Sequence, residues 1–439
     1  MDAESRRVVI TGLGVISPIG SSKTALMDSL RNRRSGVGFL SVLPPEAVPV
    51  RYSGEVRDFT GSIGDFGSIS KEVQKNLRKA LKVMCRECQM GVAAGQSALN
   101  DARIAPGTVD PSRIGVCFGS DYMVSSPEEF IEGFRHARDE NGAFRFALWP
   151  VKGMPQLFPL WLLKYLPNMP ASHLGIYNDL RGPSNSLTLR EATPNVCVMD
   201  ALNTIRYGRA DAMLAGSTGT RLSTMKLMHC LQQEELVVTD DQDPATVSRP
   251  FDKNRRGMVL GEGAGAVLLE ELSHARSRGA TLYAEVLAAC SVAAIAGNGV
   301  SDLRQAVRLA LTEVLKQAGL DPARVDFVVA NGLSTRTADR EEALGIADVF
   351  GPGSVPVVAP KSFFGNLGAG SGMVELIIGV LSLLEGSLFP TLNCDTPDPD
   401  CPVRVARDGG IPAGDIFVNL SFNSQGQASA AVIRRFSTD

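Results

Sequence analysis

Thiols and imidazoles, the side chains that most often attack carbonyls or hold metals, occur in this chain but not in reactive patterns. Its eight cysteines (Cys85, Cys88, Cys117, Cys197, Cys230, Cys290, Cys394, Cys401) are scattered rather than framed. Cys85 and Cys88 form a C-x-x-C, yet they sit in the helical-looking run LRKALKVMCRECQMGVAAGQSAL, and no second pair completes a metal site. Two thiols on one helix is the plain reading. The four histidines (His136, His173, His229, His274) never reach an H-x-x-x-H spacing. No metal and no cofactor is expected. A carboxylate, Glu191, instead stands just ahead of Thr193-Pro194, where a helix should begin. The helix dipole favours an anion there, but a buried carboxylate also needs a cationic or hydrogen-bonding partner.

The elements that position these residues alternate between strand and helix. RVVITG (7–12) and RIGVCFGS (113–120) are β-branched or apolar runs stopped by glycine, and 71–100 has helical periodicity. SNSLTLR (184–190) is a strand candidate. TPNVCVMDALNTIRYG (193–208) reads as a helix, with Thr193 as N-cap, Pro194 in the first turn and Gly208 at the C-terminal cap. DAMLAGS (211–217) is again a strand. The second half repeats the rhythm: GAVLLEEL, a helix at 302–318, VDFVVANG, a helix at 340–350, PVVAPK, a helix at 371–385 and a closing FVNLSF…AAVIRRF pair. Such alternation predicts an α/β fold with helices covering a mostly parallel sheet, and no flexible linker separates the halves.

Bulk properties exclude several roles. A net charge of −3 without a concentrated basic run argues against nucleic acid. The apolar run at the N-terminus is too short to span a bilayer and lacks signal-peptide flanks. The stretch beginning at Val374, VELIIGVLSLLEGSLF, carries Glu375 and Glu385 and reads as a buried core helix, so no membrane span is expected. Unframed thiols fit a reducing, cytoplasmic setting.

Five motifs stand in order along nearly the whole chain: RRVVITGLGVISPIG, DLRGPSNS (179–186), RPFDKNRRGMVLGEGAGAVLLEE (249–271), KSFFGNLGAGSG (361–372) and FPTLNCDTPDPDC (389–401). Together they resemble the β-ketoacyl-acyl-carrier-protein synthases of the elongating type and their polyketide relatives. The resemblance implies the thiolase fold: two similar α/β halves, expected at 1–255 and 256–439, stacked as a five-layer α-β-α-β-α body. It also implies a dimer, an acyl-carrier-protein surface and an acyl tunnel.

In that family a Cys at the start of a buried helix takes the acyl chain as a thioester, and two histidines hold the malonyl thioester. Counted from Arg181-Gly182-Pro183-Ser184, the Cys place falls on Glu191. The H-G-T-x-T-x-x-x-D motif is here Asn331-Gly332-Leu333-Ser334-Thr335-Arg336-Thr337-Ala338-Asp339, with Asn331 for His. K-S-x-x-G-H becomes Lys361-Ser362-Phe363-Phe364-Gly365-Asn366, with Asn366 for the second His. Lys361 and Glu375 match the family's supporting charges, whereas Ser421–Gln427 replaces its glycine-rich gating loop. An amide such as Asn366 can still donate to a thioester carbonyl, but Asn331 cannot titrate as imidazole does. Glu191 excludes ordinary condensation, because a carboxylate is a poor nucleophile toward thioesters. Cys197, almost two helical turns further on, is not expected to substitute.

Glu191 is expected to pair with Lys361. The leading reading is a ketosynthase-like subunit without condensing activity, similar to the chain-length factors of type II polyketide systems, paired with an active ketosynthase. That subfamily often carries Gln at the place of Glu191. A stand-alone homodimer whose Glu191, Asn331 and Asn366 act on acyl or malonyl thioesters is the alternative. An acyl-carrier-protein or acyl-chain binder is a third.

Overall fold

The computed structural model describes residues 6–239 and 242–437. The elements that position the site are the following. The first half contains β1 (Val8–Ile16), α1 (Arg86–Asp101), β2 (Ile114–Ser120), α2 (Met169–Asn178), β3 (Ser184–Leu187), α3 (Thr193–Arg206), β4 (Ala212–Thr220) and β5 (Leu260–Glu271). The second contains β6 (Ala284–Ala293), α4 (Leu303–Ala318), β7 (Phe327–Val329), α5 (Arg336–Phe350), β8 (Pro356–Val358), α6 (Ser371–Glu385), β9 (Ile416–Phe422) and β10 (Gln427–Arg435).

The halves are topological copies. The first sheet runs β1-β5-β4-β2-β3 and the second β6-β10-β9-β7-β8. In each, the first two pairings are antiparallel and the last two parallel. A short antiparallel contact of Val9 and Ile10 with Glu285 and Ala284 joins β1 to β6. Helices α3 and α6 pack on each other and on strands of both sheets; α1 covers the outside of the first sheet, α4 that of the second, with α5 packed on α4. This is the five-layer α-β-α-β-α thiolase arrangement. β5 pairs with β1 and β4 across the whole first sheet.

Local sequence explains most of the boundaries. Residues 71–100 do not form one helix: Lys71–Ala80 is helical, but Cys85 adopts an extended φ of −69 and ψ of 167 and caps α1 instead. β3 stops at Leu187, three residues short of the expected strand, because the chain must turn into α3. The long apolar segment Gly368–Glu385, which includes α6, is 89% buried among other elements, as a core helix should be. Its side chains join those of α3 and both sheets in the largest apolar cluster. Burying an aliphatic side chain there stabilises the fold by about 1.5–3 kcal/mol.

Candidate active-site cleft

The two central helices begin beside one another, and that junction holds the site. Glu191 lies in the single turn Arg190–Ala192 that leads into α3, and Asn366 precedes the turn Gly368–Gly370 that leads into α6. Pro194 sits in the first turn of α3, where a missing N–H costs nothing. Thr193 is not the N-cap. Ala192 occupies that position in helical conformation without a side-chain cap, and the Thr193 hydroxyl instead accepts the Leu189 N–H at 2.9 Å. α3 lies so close to β2 that a Cβ on Gly119 would stand 1.9 Å from Thr193 Cγ2.

Glu191 is buried, and its partner is Arg221 rather than Lys361. Arg221 Nη2 donates to Glu191 Oε1 at 2.6 Å, and the Asn366 amide donates to the same oxygen at 3.0 Å. Arg190 Nε stands 3.8 Å from Oε2. Burial alone would push this carboxyl up; the charges of Arg221 and then Arg190, with the Asn366 hydrogen bond, hold it down to about 2. It is a permanent anion near neutral pH.

Arg221, fully buried, also touches Asp121 Oδ2 through Nε at 2.8 Å, an ion contact without hydrogen-bond alignment, and Cys230 Sγ through Nη1 at 3.7 Å. The Asp121 N–H donates to Glu87, whose other oxygen takes Lys226 Nζ at 2.6 Å. Burial, opposed by Lys226 and reinforced by Asp121, raises Glu87 to about 7. The Tyr122 ring lies 5.8 Å from the Arg190 and Arg221 guanidinium carbons and 5.2 Å from Lys226 Nζ. Gly368 crosses this cluster at φ +61, where a Cβ would stand 2.4 Å from Asp121 Oδ2 and 2.9 Å from Arg221 Nε.

Lys361 serves another group. Its Nζ donates to Glu375 Oε1 at 2.5 Å, to the Asn331 carbonyl at 2.7 Å and to Asn331 Oδ1 at 2.8 Å, which uses all three protons. Burial, opposed by Lys361, raises Glu375 to about 7. Asn331 is fully buried and its N–H donates to Glu342 at 2.7 Å. Asn366 Oδ1 accepts the Gly368 N–H at 3.0 Å and the Ser371 hydroxyl at 3.1 Å, which fixes the amide and aims its Nδ2 at Glu191.

A cleft of about 610 Å³ reaches Glu191 and Asn366, with Val300, Leu303, Leu333 and Phe422 among its walls. Phe363 and Phe364 belong to the core and do not fill it. Asn331 and Lys361 lie behind the wall, and no cysteine lines it. Cys197 is buried in the core cluster that also contains Cys117. The 423–424 turn clasps the chain ahead of Glu191: Asn423 donates to the Leu189 carbonyl at 3.1 Å, and Arg190 reaches Ser424 Oγ at 3.4 Å and Glu234 at 2.7 Å. Among the described residues no group of three His, Cys, Asp or Glu could hold a metal ion. Of the residues the sequence motifs single out, the structure pairs Glu191 with Asn366 at the cleft and Asn331 with Lys361 behind its wall. Arg221, Asp121, Glu87, Lys226 and Arg190 escaped notice; the Arg221–Lys226 pair near a strand end was the only local signal.

A repeated five-strand thiolase fold with a cleft at the starts of its two central helices defines a condensing-enzyme-like protein. Residues 5–275 match the family described as Beta-ketoacyl synthase, N-terminal domain, and residues 283–395 match Beta-ketoacyl synthase, C-terminal domain. The chain is 32% identical to a 3-oxoacyl-[acyl-carrier-protein] synthase 2 of Synechocystis sp., covering 99% of both chains. It is 32% identical to that of Vibrio cholerae, over 98% of this chain and 99% of the other. Among solved structures it resembles the ishigamide ketosynthase/chain length factor, with a TM-score of 0.82, 26% identity, and coverage of 99% and 100%. A beta-ketoacyl synthase from Burkholderia phymatum is similar at a TM-score of 0.83 and 25% identity, covering 98% and 100%. The chain belongs to the β-ketoacyl synthase family, whose members these relatives place in fatty-acid and polyketide biosynthesis.

Proposed function

We propose that this chain is a non-condensing ketosynthase-like subunit that pairs with an active ketosynthase in the manner of a chain length factor. The observation that carries the reading is the state of Glu191. It stands at the start of α3, where an acyl-accepting nucleophile would gain from the helix N-terminus, but its Oε1 is bound by Arg221 and Asn366. A carboxylate held near 2 is too weak a base to take a proton from a substrate at neutral pH. The amide that could polarise a thioester carbonyl, Asn366 Nδ2, already donates to the carboxylate at 3.0 Å and to Met258 Sδ at 2.9 Å. In this role Glu191, Asn331, Asn366 and Lys361 hold the shape of a reactive centre without its reactivity, and the partner supplies the thiol.

Two surfaces support pairing, with a ketosynthase or with a second copy. β3 ends its sheet with an unpaired edge, and Phe144, Phe146, Val151, Met154 and Leu160 are exposed in the segment before it. An acyl carrier protein is the natural donor for such an assembly. Co-purification with an active ketosynthase from the same genome tests the reading. A stable complex that condenses acyl and malonyl carrier protein is expected; failure of every such ketosynthase to bind overturns it. The open cleft favours one other reading, a stand-alone thioester enzyme or binder. An enzyme requires turnover by the isolated chain that disappears in Glu191→Gln; a binder requires binding by the isolated chain without turnover and without a partner synthase.

A further inference from the structure

Beside the cleft lies a second cavity, of about 250 Å³, that shares Thr337 with it. Four basic side chains line it: Lys253, Arg255, Arg336 and Arg340, together with Asp398 and Asp400. Arg255 is buried and rigidly held. It donates to the carbonyls of Asp252, Thr335 and Arg336 at 2.8–2.9 Å and to Asp398 at 2.5 Å. Lys253 and Arg336 are exposed, and Arg340 meets Glu341 at 3.3 Å with half its side chain in solvent. Glu341 lines the larger cleft, not this pocket. Four positive and two negative side chains leave the lining two charges positive. The first residue of α5, Arg336, is part of it; its backbone N–H is already taken by the Glu235 carboxylate at 3.1–3.2 Å, so the side chains and not the helix end supply the charge.

We propose that this pocket binds a dianionic phosphate monoester, with the body of the ligand leaving past Thr337 toward the cleft. The charge balance favours the dianion of a monoester over the single charge of a phosphodiester. Planar guanidinium groups and a lysine ammonium lining one pocket suit a phosphate's several acceptor oxygens. The site stands apart from Glu191, so it holds whether or not the chain condenses.

Calorimetric titration of the full chain with coenzyme A, which carries a 3′-phosphate monoester, and with dephospho-coenzyme A tests it. Coenzyme A is expected to bind about tenfold tighter at low salt, as paired charge-assisted hydrogen bonds allow. Inorganic phosphate should compete, and the preference should vanish in Arg336→Gln/Arg340→Gln. Both side chains are exposed, and an unchanged melting curve verifies the fold of the variant. Equal affinities, binding of neither compound, or a preference that survives the double variant overturns the proposal. Binding of a holo carrier protein, whose pantetheine is joined by a diester, with none of coenzyme A overturns it as well.

Discussion

Replacing Arg221 by methionine removes one cation and strands two buried anions. Glu191 sits near 2 in the folded protein against an ordinary 4.5, a difference worth about 3 kcal/mol of stability at neutral pH. Because this carboxyl is depressed, its contribution is complete above the ordinary range and is lost as pH falls toward 2. In Arg221→Met the burial remains while the 2.6 Å and 2.8 Å contacts to Glu191 and Asp121 disappear. Breaking a buried ion pair from one side costs roughly 3–5 kcal/mol. The released carboxyl is then pushed above its ordinary value, so protonation stabilises the folded variant. The gap between variant and wild type should therefore be widest at pH 8 and narrow toward pH 5. Urea denaturation at a series of pH values measures it. Adding Glu191→Gln and Asp121→Asn should recover most of the loss. A gap below about 1 kcal/mol at pH 8 would refute the ion cluster, and so would one indifferent to pH.

Three further outcomes follow from the same geometry. Gly368→Ala forces a Cβ against Asp121 and Arg221 at positive φ and should cost about 2 kcal/mol or more, read from the urea midpoint. Lys361→Met leaves Glu375 without its cation; the loss should be roughly 3 kcal/mol at pH 8 and smaller at pH 6, where Glu375 is protonated, as calorimetric melting would show. In the wild-type protein burial raises Glu342 to about 8 and Glu375 to about 7, so both bind protons more tightly folded than unfolded. Stability should accordingly fall as pH rises from 5 to 8, and a urea midpoint that climbs over that range would contradict these assignments.

The sequence made the fold legible because strand–helix alternation and five ordered motifs all pointed the same way. Boundaries were clear where a single residue enforces them, as at Gly386 after α6, which adopts φ +78. They were lost where periodicity runs through a break, as at Cys85, and where a strand ends for tertiary reasons, as at Leu187. The return of β5 to pair with β1 is a long-range contact that no local pattern records. At the site, the need for a cation beside Glu191 was legible from burial alone, but its identity was not. Lys361 lies in the next family-like motif, yet its Nζ is consumed by Glu375 and Asn331. Arg221 comes from the end of β4, and only the packing of α3 against that strand brings it within 2.6 Å.

The non-condensing role requires Glu191 to be an ion-paired, non-nucleophilic carboxylate. Intact-mass spectrometry and product analysis of the isolated chain with acyl and malonyl carrier protein test this most directly. No acylated chain and no condensed, decarboxylated or hydrolysed product is expected, and Glu191→Gln should behave the same way. Condensation should arise only once an active ketosynthase is added. An acyl adduct on the isolated chain, or turnover that Glu191→Gln abolishes, would contradict that role.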